Sequence, residues 1–167
     1  MTSYTLHLRE VDADDLAIFF EQQLDADANF MAAFTAKNPT DHDAFLTHWR
    51  RIAADSTVQI RTVIVHEESG SAEVAGYVLS YEEDGRPEIS YWLGRGHWGR
   101  GIATRALAAF LADVERRRPI FARVAADNLA SRRVLEKCGF TRIGDYRGFA
   151  NARNAEIDEL LLELSAS

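Results

Sequence analysis

The stretch from Ile89 to Leu107, Ile-Ser-Tyr-Trp-Leu-Gly-Arg-Gly-His-Trp-Gly-Arg-Gly-Ile-Ala-Thr-Arg-Ala-Leu, constrains this chain more than any other. Its first part, Ile89 to Leu93, has the β-branched and aromatic character of a strand. Its second part begins a helical spacing of apolar residues at Ala103, Leu107, Phe110, Leu111 and Val114. Between them lie Gly94, Gly96, Gly99 and Gly101, with Arg95 and Arg100 interleaved. Glycine admits positive φ and lets a ligand approach the backbone closely. A helix start adds unpaired N–H groups and the positive end of its dipole. Strand, Gly/Arg turn and helix in this order read as a phosphate-binding element.

Two familiar phosphate loops fail against it. The P-loop needs Gly-Lys-Ser/Thr, and no Gly-Lys pair follows here. The dinucleotide fingerprint can be laid over Gly94, Gly96 and Gly99, but the preceding strand does not open a βαβ unit. Nor does an acidic residue close a second strand about 20 residues on.

Composition narrows the class. At 167 residues and 47% hydrophobic, the sequence suits one compact domain over 1–167. It has no apolar run of about 18 residues and no basic-then-apolar N-terminus, so neither a membrane span nor a signal peptide is expected. The lone Cys138 gives no internal disulfide and fits a reducing cytoplasm, and its place before Gly139 suits packing. The five histidines are scattered and no Cys/His cluster suggests a metal. The net charge of −7 argues against nucleic acid as a partner. Acidic residues gather at Asp12, Asp14, Asp15, Glu21, Asp25 and Asp27, then at Glu67, Glu68 and Glu82–Asp84. If they line a cleft, they favour a cationic substrate such as an amine.

Along the chain, Thr5–Glu10 reads as a strand, and Asp12 as the N-cap of a helix with Leu16, Phe19, Phe20 and Leu24 on one face. Residues 25–39 read as loop with a helical turn at Phe30–Phe34, and Thr40 as the cap of a second helix. Strands are expected at 58–66, 74–82 and 88–93, the last entered through Asp84-Gly85. A helix over 102–117 leads past Pro119 into a buried strand, Ile120–Ala125. Asn128 caps a further helix closed by Gly139, and Phe140–Tyr146 and Ile157–Leu164 read as the last strands. The order places three antiparallel strands before a β-α-β crossover, whose strands become parallel neighbours. The glycine turn sits at the carboxyl end of one of them, where ligands collect in such sheets.

These residues resemble the GNAT superfamily of N-acetyltransferases. Its coenzyme A loop, Gln/Arg-x-x-Gly-x-Gly/Ala, is similar to Trp98-Gly99-Arg100-Gly101-Ile102-Ala103. The family's Asn-x-x-Ser/Ala…Lys-x-Gly-Phe helix is similar to the segment Asn128 to Phe140, with Ser131, Lys137 and Gly139 in place. The full string resembles the branch that contains ribosomal-protein alanine N-acetyltransferases. Trp98 departs from the polar first residue of the loop. Leu135 stands where many members carry the tyrosine that protonates the departing thiolate.

The resemblance implies an α/β fold, GNAT-like, with a mixed, mostly antiparallel sheet of about seven strands and helices on both faces. It implies acetyl transfer from acetyl-CoA to a primary amine, either a protein N-terminus or a small molecule. No metal or membrane is involved, and the chain would be a monomer or homodimer. Leu93, Gly94, Gly99, Arg100, Gly101, Ile102, Ala103, Thr104, Asn128 and Ser131 would meet the cosubstrate, with the Leu93 backbone polarising the thioester carbonyl. Glu88 is the expected base, Ser131 the expected acid and Tyr146 its reserve. The competing class is a catalytically silent acyl-CoA-binding module.

Overall fold

The computed structural model describes residues 3–166. Strand β1 (Tyr4–Arg9) is followed by helices α1 (Asp15–Gln23), α2 (Ala26–Ala32) and α3 (His42–Ala54). The strands β2 (Gln59–Glu67), β3 (Ala72–Glu83) and β4 (Arg86–Leu93) come next. After a short 3-10 turn at Arg95–His97 run α4 (Ile102–Asp113), β5 (Ile120–Ala125), α5 (Leu129–Lys137), β6 (Thr141–Ala150) and β7 (Ala155–Leu164). They form a 7-stranded sheet in the order β1-β2-β3-β4-β5-β7-β6. Every neighbouring pair is antiparallel except β4 and β5, the two strands of the crossover. The expected mixed sheet is therefore the observed one.

Alternation along the strands sends side chains to two different cores. On one face α4 and α5 bury Leu107, Phe110 and Leu135 against Val63, Val65, Val78, Ile89, Ile120, Val124 and Leu162. Leu107 and Phe110 are 0% exposed, and each such side chain contributes about 1.5–3 kcal/mol by leaving water. On the other face Phe19 of α1 and Phe45 and Trp49 of α3 pack on Tyr77. The Phe19–Tyr77 and Trp49–Tyr77 rings meet edge to face at 5.0 Å. The run Leu160–Leu162 is buried throughout, which explains why β7 lacks strand alternation in its sequence.

Four helix boundaries differ from the sequence pattern, each because a polar side chain found a stronger partner. Asp12 does not cap α1. Instead its N–H donates to Asp15, whose carboxylate also accepts both guanidinium nitrogens of Arg9 and the hydroxyl of Thr62. Asp41, not Thr40, caps α3 by accepting the N–H of Ala44, while the Thr40 hydroxyl donates to Asn38. Asp25 caps a whole helix, α2, where only a turn was expected, accepting the N–H groups of Asp27 and Ala28. Helix α4 stops at Asp113 rather than at 117, because Glu115 turns inward to accept from Ser80 at 2.6 Å and from three nitrogens of Arg117.

Glu115 makes the fold acid-sensitive in a definable window. Burial resists its charge, but the bonds from Arg117 and Ser80 outweigh that and bring the carboxyl from 4.5 to about 2. The folded value lies below the unfolded one, so this group stabilises the fold above about pH 4.5 and the contribution fades as pH falls toward 2. In urea titrations at several pH values, Glu115→Gln should be less stable than wild type near neutrality. The gap should narrow steadily below pH 4.5. A gap that does not change with pH contradicts the assignment.

Candidate active site

The ladder between β4 and β5 consists of one register pair, Glu88 opposite Phe121. Beyond it the strands part, so the carboxyl half of β4 has an unpaired edge. The N–H of Gly94 donates to Ala75 on β3 at 2.9 Å. Alternation then turns the backbone groups of Leu93 and Tyr91 toward the gap. The indole N–H of Trp98 confirms the direction by donating to the Leu93 carbonyl at 3.0 Å. The Leu93 N–H, expected to polarise a thioester, faces the opening.

The glycine turn stands at the mouth of this gap. Gly99 and Gly101 have φ of 73° and 78°, a left-handed conformation that favours glycine. Gly101 is also the N-cap of α4 and offers no side chain to cap it. The first-turn N–H groups at Ile102, Ala103 and Thr104 are left to an outside acceptor. A Cβ at Gly96 or Gly99 would meet nothing within 4 Å, so the turn borders open space.

Arg100, expected to lend charge to a pyrophosphate, is engaged by the protein itself. Its guanidinium forms two 2.8 Å bonds with Glu67 on β2 and lies 5.0 Å from the ring of Tyr4. The Tyr4 hydroxyl donates to the Arg100 carbonyl at 2.9 Å. Arg100 is thus a latch that ties the turn to β1 and β2. Only the Arg100 Nε is left unpartnered. Arg105, one turn into α4, sits 4.7 Å from the same tyrosine ring and, among the described residues, has no carboxylate within ion-pair distance.

The sheet face toward α1–α3 gathers ionisable groups at the foot of the gap. Glu88 is fully buried, not solvated, and accepts from Arg123 Nε at 3.1 Å and from the Tyr81 hydroxyl at 3.3 Å. Arg123 also lies 3.8 Å from Glu159 of β7 and 5.8 Å from the ring of Tyr146. Tyr146 sits directly across from Glu159 in the β6–β7 ladder and is half exposed. Burial pushes the Glu159 carboxyl up, Arg123 pulls it down and Glu88 raises it again. Burial, then the charge of Glu88, drives the Tyr81 phenol upward.

The opposite face holds the other expected groups. Asn128 caps α5, its carbonyl oxygen accepting the Ser131 N–H at 3.3 Å. The Ser131 hydroxyl is 2.8 Å from that of Tyr91 on β4. Leu135 is 2% exposed within the core, and Cys138, its thiol raised by burial, packs beside it. Glu88 with Tyr146 and Ser131 with Asn128 therefore lie on opposite sides of the sheet, joined through the gap. The sequence reading missed Tyr91, Arg123 and Glu159. Strand alternation places Tyr91 toward α5, but Arg123 and Glu159 come together only because β7 inserts beside β5.

The chain matches the acetyltransferase (GNAT) domain family over residues 5–141 and belongs to it. It is similar to a Bacillus licheniformis protein described as the uncharacterized N-acetyltransferase p20, with 31% identity over 107 residues. That match covers 62% of this chain and 60% of the relative, under two thirds of its length. Among solved structures, it is similar to spermidine N-acetyltransferase from Vibrio cholerae in complex with CoA and spermine. There the TM-score is 0.79 at 17% identity, over 96% of this chain and 95% of that one. The microcin C7 self immunity acetyltransferase MccE, in complex with acetyl-CoA and AMP, gives a TM-score of 0.74 at 18% identity, over 96% and 92% of the two chains. At such identities the likeness is one of fold.

Acetyl-CoA should raise the melting temperature of the wild type by mass action. Gly101→Glu should abolish that shift, because it strains a φ of 78° and sets a negative charge on the helix N-terminus. A variant that still shows the wild-type shift would mean that the phosphates bind elsewhere.

Proposed function

We propose that this chain is an acetyl-CoA-dependent N-acetyltransferase acting on a primary amine. One observation carries the reading: the uncapped N-terminus of α4 opens beside the unpaired edge of β4, so a phosphate seat and a strand edge serve one extended ligand. The donors at Ile102, Ala103 and Thr104, with Gly99 and Gly101, would hold the pyrophosphate, and Arg105 would add charge in place of Arg100. Leu93 and Gly94 would flank the pantetheine arm, and Asn128 would orient the start of α5 against it. Acetyl-CoA, when bound, supplies the activated acyl group.

In this reading the Leu93 N–H takes up the negative charge that develops on the carbonyl oxygen. Glu88, paired with Arg123, accepts the acceptor's proton through a water molecule, since its own surface is closed. Ser131 donates toward the departing sulfur, and Tyr146 lines the acceptor side. The acidic balance of the cleft foot, Glu88 and Glu159 around one Arg123, suits a cationic amine. The lone half-buried Cys138 supports a cytoplasmic setting.

The test is an amine panel with detection of released thiol, run beside acetyl-CoA binding. Glu88→Gln should lower the transfer rate by roughly 10²–10⁴-fold and leave acetyl-CoA affinity nearly unchanged. If Glu159→Gln shows that loss and Glu88→Gln does not, the base is Glu159. Binding without turnover of any amine would make the chain a silent acyl-CoA-binding module.

A further inference from the structure

We propose that Tyr91 is a positioning residue that makes Ser131 a competent proton donor to the departing thiolate. The inference rests on the acetyltransferase reading above and extends it to a residue on a different element.

A serine hydroxyl alone is a poor acid, far weaker than the thiol it would have to regenerate. A phenol is much closer. The Tyr91 hydroxyl lies 2.8 Å from the Ser131 oxygen, and of the two groups the phenol is the stronger donor. Tyr91 therefore donates and Ser131 accepts, which leaves the serine's own proton free to point away from Tyr91. The backbone fixes both partners. Ser131 stands in the first turn of α5, held by the Asn128 cap, and Tyr91 stands on the stretch of β4 that has lost its β5 neighbour. Leu135, fully packed in the core, offers no hydroxyl. Two short-range elements thus supply together what a tyrosine on α5 would supply alone.

The proton balance is closed. The amine nitrogen bonds to the carbonyl carbon and gives its proton through water to Glu88, which returns it to solvent, while the carbon–sulfur bond breaks and its electron pair goes to sulfur. Ser131 gives its proton to the sulfur and takes the phenolic proton of Tyr91. Tyr91, which is part-exposed, recovers a proton from water at the cleft mouth. Burial holds the phenol near 12, above the usual thiol range of about 8.5. The relay therefore acts mainly as a hydrogen bond that strengthens while charge grows on sulfur, and it should raise turnover more than affinity.

The experiment is a double-mutant cycle on single-turnover acetyl transfer, with melting temperature and acetyl-CoA affinity measured on the same preparations. Tyr91→Phe should slow transfer by roughly tenfold or more, with affinity nearly unchanged. Adding it to Ser131→Ala should cost no more than about twofold beyond Ser131→Ala alone, since residues acting as a unit are not additive. Ser131→Thr, which keeps the hydroxyl, should recover most of the rate. The second readout needs no turnover. In the complex with free CoA, ultraviolet thiolate absorbance should show the bound thiol ionising at lower pH in the wild type than in Tyr91→Phe. That difference should vanish in the Ser131→Ala background. A slow Ser131→Ala beside an unaffected Tyr91→Phe overturns the role of Tyr91 and leaves the acid assignment standing. Additive losses overturn it too, by giving Tyr91 an independent role. An unaffected Ser131→Ala, in a protein that acetylates amines, removes the acid assignment and Tyr91 with it. No transfer by the wild type to any amine overturns the acetyltransferase reading itself.

Discussion

The ion pair between Glu88 and Arg123 is the constraint on which the rest depends. It sits at the one point where β4 and β5 touch in register, and it lets the carboxylate of Glu88, too costly to bury alone, close the foot of the gap beside a partly exposed Arg123. Removing Arg123 would strand the buried Glu88 inside the sheet, so the pair is weak as a source of net stability and strong as a determinant of geometry. Above that point the strands separate and β4 keeps a row of unpaired backbone groups. A sheet normally hides such an edge. Here the edge is confined to the few residues between Glu88 and Gly94 and shielded by Trp98, which remains 43% exposed but commits its indole to Leu93.

The two faces of the sheet divide the work. Beneath α4 and α5 the packing is aliphatic and close, and the polar groups there include helix caps, the Ser80–Glu115 pair and the Tyr91–Ser131 pair. Beneath α1–α3 the packing is aromatic, with carboxylates, Arg123 and tyrosines between the helices and the free end of the sheet. A ligand lying in the gap meets both environments at once. In the proposed reaction, one side would orient the acyl group and the other, charged, would sort acceptors.

Much of this was legible in the sequence, for reasons that are local. The turn from Gly94 to Gly101 and the cap at Asn128 depend on residues within a few positions, so motif and structure coincide. The parallel placement of β4 and β5 followed from chain order. What the sequence hid was long-range. Arg100 looks like a phosphate ligand until β2 brings Glu67 to it across 33 residues. Glu88 looks like a solvated strand start until β5 supplies Arg123. Asp12 and the end of α4 were misread because Asp15 and Glu115 were recruited by Arg9 and Arg117, and Thr40 because Asp41, one position on, is the cap. Helix α2 was missed because its seven residues are too few to show a helical period, despite its three alanines.

Tyr4, Glu67 and Arg100 join three distant parts of the chain at the edge of the phosphate seat. Arg100 is gripped from the side by one strand and stacked from below by another, so the glycine turn is splinted rather than free. A flexible glycine turn would have to be ordered by its ligand, at a cost in affinity that grows with each loosened residue. The splint moves that ordering into folding itself. The first strand, which contributes no group to the chemistry, thereby becomes part of the affinity for anything the turn holds. If the turn holds phosphate as proposed, trimming or fraying that edge strand would cost not stability alone but also grip on the ligand.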